Sequence, residues 1–222
     1  MTDGYISDEE QWEKVKAWWQ ANGTFIIAGL VIGLAIIGGW RWWEHAQVQR
    51  AVEASSLYTQ FEQALNQPNA EEGAAQAVAE NLITNYGGTP YAAQAALGLA
   101  SSEVAADKPE EAAKHLQWVM DNAADDSLAR LARLRLARVQ IANEQPKVAL
   151  TTLSAVQAGG FESLYAEVRG DAWRALDNSA KAHEAYKSAL AAHTEEMGDT
   201  TLLELKLRST AGAAQPDSNG KS

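Results

Sequence analysis

The chain contains no cysteine. That absence excludes a disulfide framework, a thiolate metal site and a cysteine nucleophile, and it suits an oxidising or a reducing compartment equally. Proline is scarce, with 5 in 222 residues. No segment alternates apolar and polar residues as a half-buried strand would, which with the abundance of alanine favours an all-α chain. Cations are outnumbered too: 18 Lys and Arg stand against 29 Asp and Glu, a net charge of −11 at pH 7. So acidic a surface repels phosphate backbones at long range and argues against general nucleic-acid binding. Chemistry-bearing patterns are missing as well. His45, His115, His183 and His193 have no histidine partner at helical spacing, and no HExxH, phosphate-binding glycine loop or nucleophile elbow occurs. The acid pairs Glu110-Glu111, Asp125-Asp126 and Glu195-Glu196 fall at helix starts or in loops, where they complement the helix dipole. No catalytic residue, metal site or cofactor is expected.

What is present begins with one long apolar run. No charge occurs between Ala17 and Trp40. At about 1.5 Å per residue, a helix from Trp19 to Trp40 is about 30 Å long, the thickness of a hydrocarbon core. Of the 8 Trp, Trp12, Trp18 and Trp19 precede the run and Trp40, Trp42 and Trp43 follow it. Indole rings at both ends, with Arg41 among them, are interfacial anchors: one apolar face and one N–H that wants water. A cleavable signal peptide would open on a short basic region and end on small residues. Here the leader is acidic and Trp40-Arg41-Trp42-Trp43 stands at the exit, so the segment reads as an uncleaved anchor. Lys14 and Lys16 before it balance Arg41 and Arg50 after it, so charge alone leaves the orientation open. Gly29 and Gly33 form a GxxxG pair that offers a close-packing face for another span. Before the span, the stretch from Ser7 to Gln20 reads as a short amphipathic helix in the interface, capped by Ser7 or Asp8.

Beyond Trp43 the apolar spacing is helical to about Leu207, broken at turn-type clusters. The breaks recur. Asp107-Lys108-Pro109, Glu144-Gln145-Pro146 and Asp177-Asn178-Ser179 each open a helix whose alanine follows at Ala112, Ala149 and Ala182, and Gln67-Pro68-Asn69 precedes Ala75 in the same manner. A helix-turn-helix unit near 34 residues is the tetratricopeptide period. Gly98 and Tyr186 fall where that pattern wants a glycine and an aromatic. Thr201 to Ser209 supplies a closing helix. The chain thus divides into residues 1–22, an amphipathic N-terminus; 23–43, a transmembrane anchor; 44–208, a tetratricopeptide-like solenoid; and 209–222, a tail of disordered composition. Stacked repeats leave a groove for a partner. Arg130, Arg133, Arg135 and Arg138 crowd one helix of it, distributed around its axis. Some must therefore face neighbouring helices and pair with acids, leaving one or two to line the groove and meet a carboxylate-bearing partner.

Several segments resemble the YfgM family, the ancillary subunits of the bacterial SecYEG translocon: Val15 to Gly23 leading into the span, Gly39 to Trp43 leaving it, Leu134 to Gln140 and Leu164 to Asp171. The resemblance covers nearly the whole chain except the tail after Ser209. It implies an inner-membrane protein with a cytoplasmic N-terminus and a periplasmic tetratricopeptide-like domain. The implied partners are the SecYEG translocon, a PpiD-like membrane chaperone, and emerging secreted polypeptides or periplasmic chaperones that receive them. The repeats and anchor alone fit two other roles, an envelope-assembly or cell-division scaffold and a regulator acting through the cytoplasmic N-terminus.

Overall fold

The computed structural model describes residues 8–66 and 73–211. Among them the order is α1 (Asp8–Asn66), α2 (Ala74–Asn85), α3 (Pro90–Ala105), α4 (Pro109–Asn122), α5 (Asp126–Ala142), α6 (Pro146–Ser154), α7 (Glu162–Ala175), α8 (Ser179–Ala191) and α9 (Thr201–Ser209). Short 3-10 turns precede α7 and α9, and no strand occurs among the described residues. The expected cap at Ser7, the turn at Gln67-Pro68-Asn69 and the tail beyond residue 211 lie outside them. By contacts the chain divides into two compact units, residues 1–50 and 51–222.

In the first unit, α1 is the one described helix long and apolar enough to cross a membrane. Large apolar side chains such as Phe25, Leu30, Leu34 and Ile36 stand 62–78% exposed, an arrangement that only lipid or partner helices would make favourable. The expectation of a separate amphipathic helix before the span is not met: α1 runs from Asp8 through the apolar run without interruption. Ala21-Asn22-Gly23 does not end the helix: no proline follows, and the Asn22 side-chain amide donates to the Trp18 carbonyl one turn back.

The second unit is a stack of helix pairs: residues 51–66 with α2, α3 with α4, α5 with α6, α7 with α8, and α9 closing against α7 and α8. Three of the turns inside the pairs are built alike. Asp107, Glu144 and Asp177 adopt φ of 58°, 58° and 56°, in the left-handed region. The N–H groups of Asp107 and Lys108 return to the Val104 and Glu103 carbonyls, those of Glu144 and Gln145 to Ile141 and Gln140, and those of Asp177 and Asn178 to Arg174 and Trp173. This is the Schellman arrangement, which satisfies carbonyls that the helix end would leave bare. The next helix starts at once. Pro109 and Pro146 preset its first φ, while at Ser179 the Asn178 side chain accepts from the Lys181 N–H at 3.1 Å.

One turn into each second helix the alanine recurs, and Ala112, Ala149 and Ala182 are fully buried. Twelve residues earlier on the first helix stand Ala100, Ala137 and Gly170; four residues later on the second stand Leu116, Leu153 and Tyr186. Sizes compensate across the pair. Alanine meets leucine twice, and where the large residue is Tyr186 the small one shrinks to Gly170, on which a Cβ would run into the tyrosine ring. Gly98 is required for the same reason between pairs, since a Cβ there would lie 2.8 Å from the Phe61 ring. The first pair departs from this register. α2 starts from the left-handed Gly73, so Ala75 is only half-buried and Ala79 takes the fully buried small position.

Buried side chains form four clusters in sequence along the stack, joined by shared helices. The folded part also passes the expected end at residue 208. Thr210 is buried, with its hydroxyl on the Leu207 carbonyl and 3.2 Å from His183 Nδ1.

A candidate binding groove on the first helices of the pairs

The groove is built by the first helices of successive pairs, α3, α5 and α7, with α9 at its far end. Two adjoining hollows share Arg138. The first lies between α3 and α5, encloses about 200 Å³, and is lined by Ala100, Ser101, Val104, Leu116 and Val139 under Arg135 and Arg138. Its floor is apolar, and Val104 is 51% exposed. The second lies between α5, α7 and α9 and brings Arg138, Arg174, Asp171 and Lys206 together over Ile141 and Ala175.

The four arginines of α5 separate into two pairs of different fate. Arg130 reaches Asp126 on its own helix at 3.4 Å. Arg133 crosses to α6 and donates to the Thr152 carbonyl at 3.1 Å, so its partner is a backbone group rather than the acid expected from sequence. Both also act on Tyr165: burial raises the Tyr165 phenol above its ordinary pKa while Arg133 and Arg130 pull it back, and its hydroxyl donates to the Arg130 carbonyl at 2.9 Å. Arg135 and Arg138 are exposed and have no ion pair or hydrogen bond to a described residue.

The acid in the second hollow is already engaged. Asp171 accepts from Lys206 Nζ at 2.8 Å and from the Tyr186 hydroxyl at 2.9 Å, while Lys206 also holds Glu167 at 2.6 Å. Burial, then the nearby Asp171 charge, pushes the Tyr186 phenol far above its ordinary value. This network fastens α9 to α7 and α8. Arg174 is exposed in the same hollow and forms no ion pair with a described residue, Asp171 being held by Lys206 and Tyr186.

The remaining residues singled out in the sequence lie on α1, in the first unit. Trp18, Trp19, Trp40, Trp42 and Trp43 are all more than half exposed, with the Trp40 and Trp43 rings 6.0 Å apart, and Arg41 is exposed beside them. Nothing lies within 4 Å of a Cβ built on Gly29 or Gly33. Sequence reasoning missed Val104 and Arg174. The available signal was position: Val104 and Arg174 each stand three residues before a left-handed turn residue, Asp107 and Asp177, on a first helix of a pair.

Among the described residues no group of His, Asp and Glu is arranged to hold a metal ion. Helix pairs stacked in this way, with this turn and this small-to-large alternation, define a tetratricopeptide-like repeat protein, and residues 16–212 match the family model for a tetratricopeptide repeat-like domain. The chain is 31% identical over 188 residues to the ancillary SecYEG translocon subunit of Escherichia coli (strain K12), covering 84% of this chain and 88% of that protein. It is 32% identical over 184 residues to the protein of the same name from Aggregatibacter actinomycetemcomitans (83% and 89% covered), and 28% identical over 206 residues to that of Neisseria gonorrhoeae (92% and 98% covered). The chain belongs to this family of ancillary SecYEG translocon subunits. No solved structure matches it.

Proposed function

We propose that the chain is a non-enzymatic accessory subunit of the SecYEG translocon, held in the inner membrane by residues 23–43. In this reading residues 1–22 lie in the cytoplasm and the repeat domain, from residue 44 onward, in the periplasm. There it acts as an adaptor, passing emerging secreted polypeptides to periplasmic chaperones alongside a PpiD-like membrane chaperone. The observation that carries the reading is the open groove, an apolar floor under unpaired guanidiniums on a domain tethered to a membrane helix. Such a surface suits a transient polypeptide partner. The relatives are named ancillary subunits of the SecYEG translocon, which supports the translocon as the place where the chain acts.

A photo-crosslinker placed at Val104 or Arg135 in intact membranes tests this directly, with protease added from the periplasmic side. The expected result is cleavage of the repeats together with adducts to translocon subunits, membrane chaperone or nascent chains. Protection of the repeats would place the domain in the cytoplasm and defeat the reading. Adducts dominated by wall-synthesis or division proteins would favour a scaffold instead.

A further inference from the structure

The repeat domain from residue 51 onward carries seven arginines. Arg130, Arg169 and Arg208 each hold an acid, and Arg133 holds the Thr152 carbonyl. The other three, Arg135, Arg138 and Arg174, have no partner among the described residues, and all three line the two adjoining hollows of the groove. In a chain of net charge −11, random placement on the surface would put acids beside them. The groove keeps acids away: the first hollow has none in its lining, and the one acid of the second, Asp171, is occupied by Lys206 and Tyr186. Guanidiniums left free beside apolar surface are poised to form charge-assisted, two-pronged hydrogen bonds with carboxylates.

We infer that the α3–α5 hollow binds an extended polypeptide segment in which an aliphatic side chain is followed by an acidic one. The aliphatic group lies over Val104, Leu116 and Val139, and the carboxylate is held by Arg135 and Arg138. Successive side chains of an extended segment point to opposite sides, so the acid turns toward the arginine rim when its neighbour enters the apolar floor. The 200 Å³ of the hollow suit one branched aliphatic side chain rather than a folded element. Arg174, on the far side of Arg138, offers a second carboxylate position further along the segment. This inference rests on the translocon-adaptor reading and specifies which stretches of a client or chaperone the groove would select.

The test uses the full-length protein in mild detergent and a fluorescent peptide containing two Leu-Glu steps between Gly-Ser flanks, with a second peptide in which Gln replaces each Glu. Anisotropy is expected to show binding of the acidic peptide at least about tenfold tighter than of its amide twin, a preference that fades as salt rises. Replacing both guanidiniums (Arg135→Gln with Arg138→Gln) is expected to erase the difference between the peptides. Val104→Asn is expected to weaken both by a similar factor. The arginines are exposed, so far-UV circular dichroism of the double variant should match the parent. Equal binding of the two peptides, or a preference that survives the double variant, overturns the inference. So does capture of phosphatidylglycerol vesicles in place of the peptide through the same arginines. Co-isolation with translocon subunits reads the parent proposal separately: its persistence alongside undiscriminating peptide binding removes only the groove chemistry, and its loss alongside discriminating binding removes only the translocon assignment.

Discussion

Substituting Gly170 by alanine sets two effects of opposite sign against each other. On an exposed helix, Gly→Ala stabilises by about 1 kcal/mol because alanine loses less backbone entropy. At Gly170 the new Cβ would collide with the ring of Tyr186, a side chain with no exposed surface. The ring has nowhere cheap to go. Its hydroxyl is bonded to Asp171, and Lys206, which ties α9 to α7, sits 5.9 Å from its centroid. Shifting it sacrifices a hydrogen bond of about 1 kcal/mol and adds overpacking strain of about 1–3 kcal/mol. The collision wins, and Gly170→Ala is expected to destabilise the domain by about 1–3 kcal/mol net. The neighbouring repeats supply the compensating change, since Ala137 faces Leu153 and Ala100 faces Leu116. The double variant Gly170→Ala/Tyr186→Leu should therefore be more stable than the sum of its parts by about 2 kcal/mol. Urea unfolding of the detergent-solubilised chain, followed by far-UV circular dichroism, measures both. A Gly170→Ala protein as stable as the parent, or a double variant that shows no coupling, would refute the size-compensation argument.

Glu144→Gly relieves the left-handed φ of 58° at a residue with no local side-chain preference for it, and should raise stability by about 0.5–1 kcal/mol. Asp107→Gly should gain less, because aspartate visits that region more readily; a fall in the urea midpoint for Glu144→Gly would contradict the turn assignment. Lys206→Met leaves Glu167 and Asp171 facing one another without their shared cation, in a site where all three side chains are at most 26% exposed. A loss of about 3 kcal/mol is expected, read as faster proteolysis of the segment between α8 and α9, with partial recovery when Asp171→Asn is added. Tyr186 gives a pH signature. Its folded pKa lies above the unfolded value of about 10, so the folded state holds the proton longer, and its contribution is complete below that pH and lost as pH rises. The urea midpoint should fall as the pH rises above about 10, and Tyr186→Phe should flatten that fall; an unchanged slope in the phenylalanine variant would show the phenol to be irrelevant.

The repeat was legible because its punctuation is chemical. Pro109, Pro146 and the Asp177-Asn178-Ser179 turn mark helix starts, and the alanines behind them mark close approach, each readable one residue at a time. The closing helix fell at Thr201–Ser209 for a similar reason, with leucines at helical spacing behind a polar loop. The continuity of α1 was harder to read, since a glycine beside an asparagine resembles a stop until the backbone shows its hydrogen bonds intact. The first pair was misregistered because α2 starts from the left-handed Gly73 rather than from a proline or an asparagine cap. The arginines were visible as a cluster, but their sorting was not. That Arg133 ends on a carbonyl of α6 while Arg135 and Arg138 end on no described group depends on neighbours brought in from distant sequence.

The four buried clusters follow one another along the stack instead of merging into a single centre. A domain organised this way responds to tension as a row of fasteners. Pulling on its C-terminal end would load α9 first, through Lys206 and Leu203, and release it before the α5–α6 pair bears any strain. The hollow under Arg135 and Arg138 lies two pairs further in, so tension on that end would strip off the closing helix while the guanidinium site kept its shape.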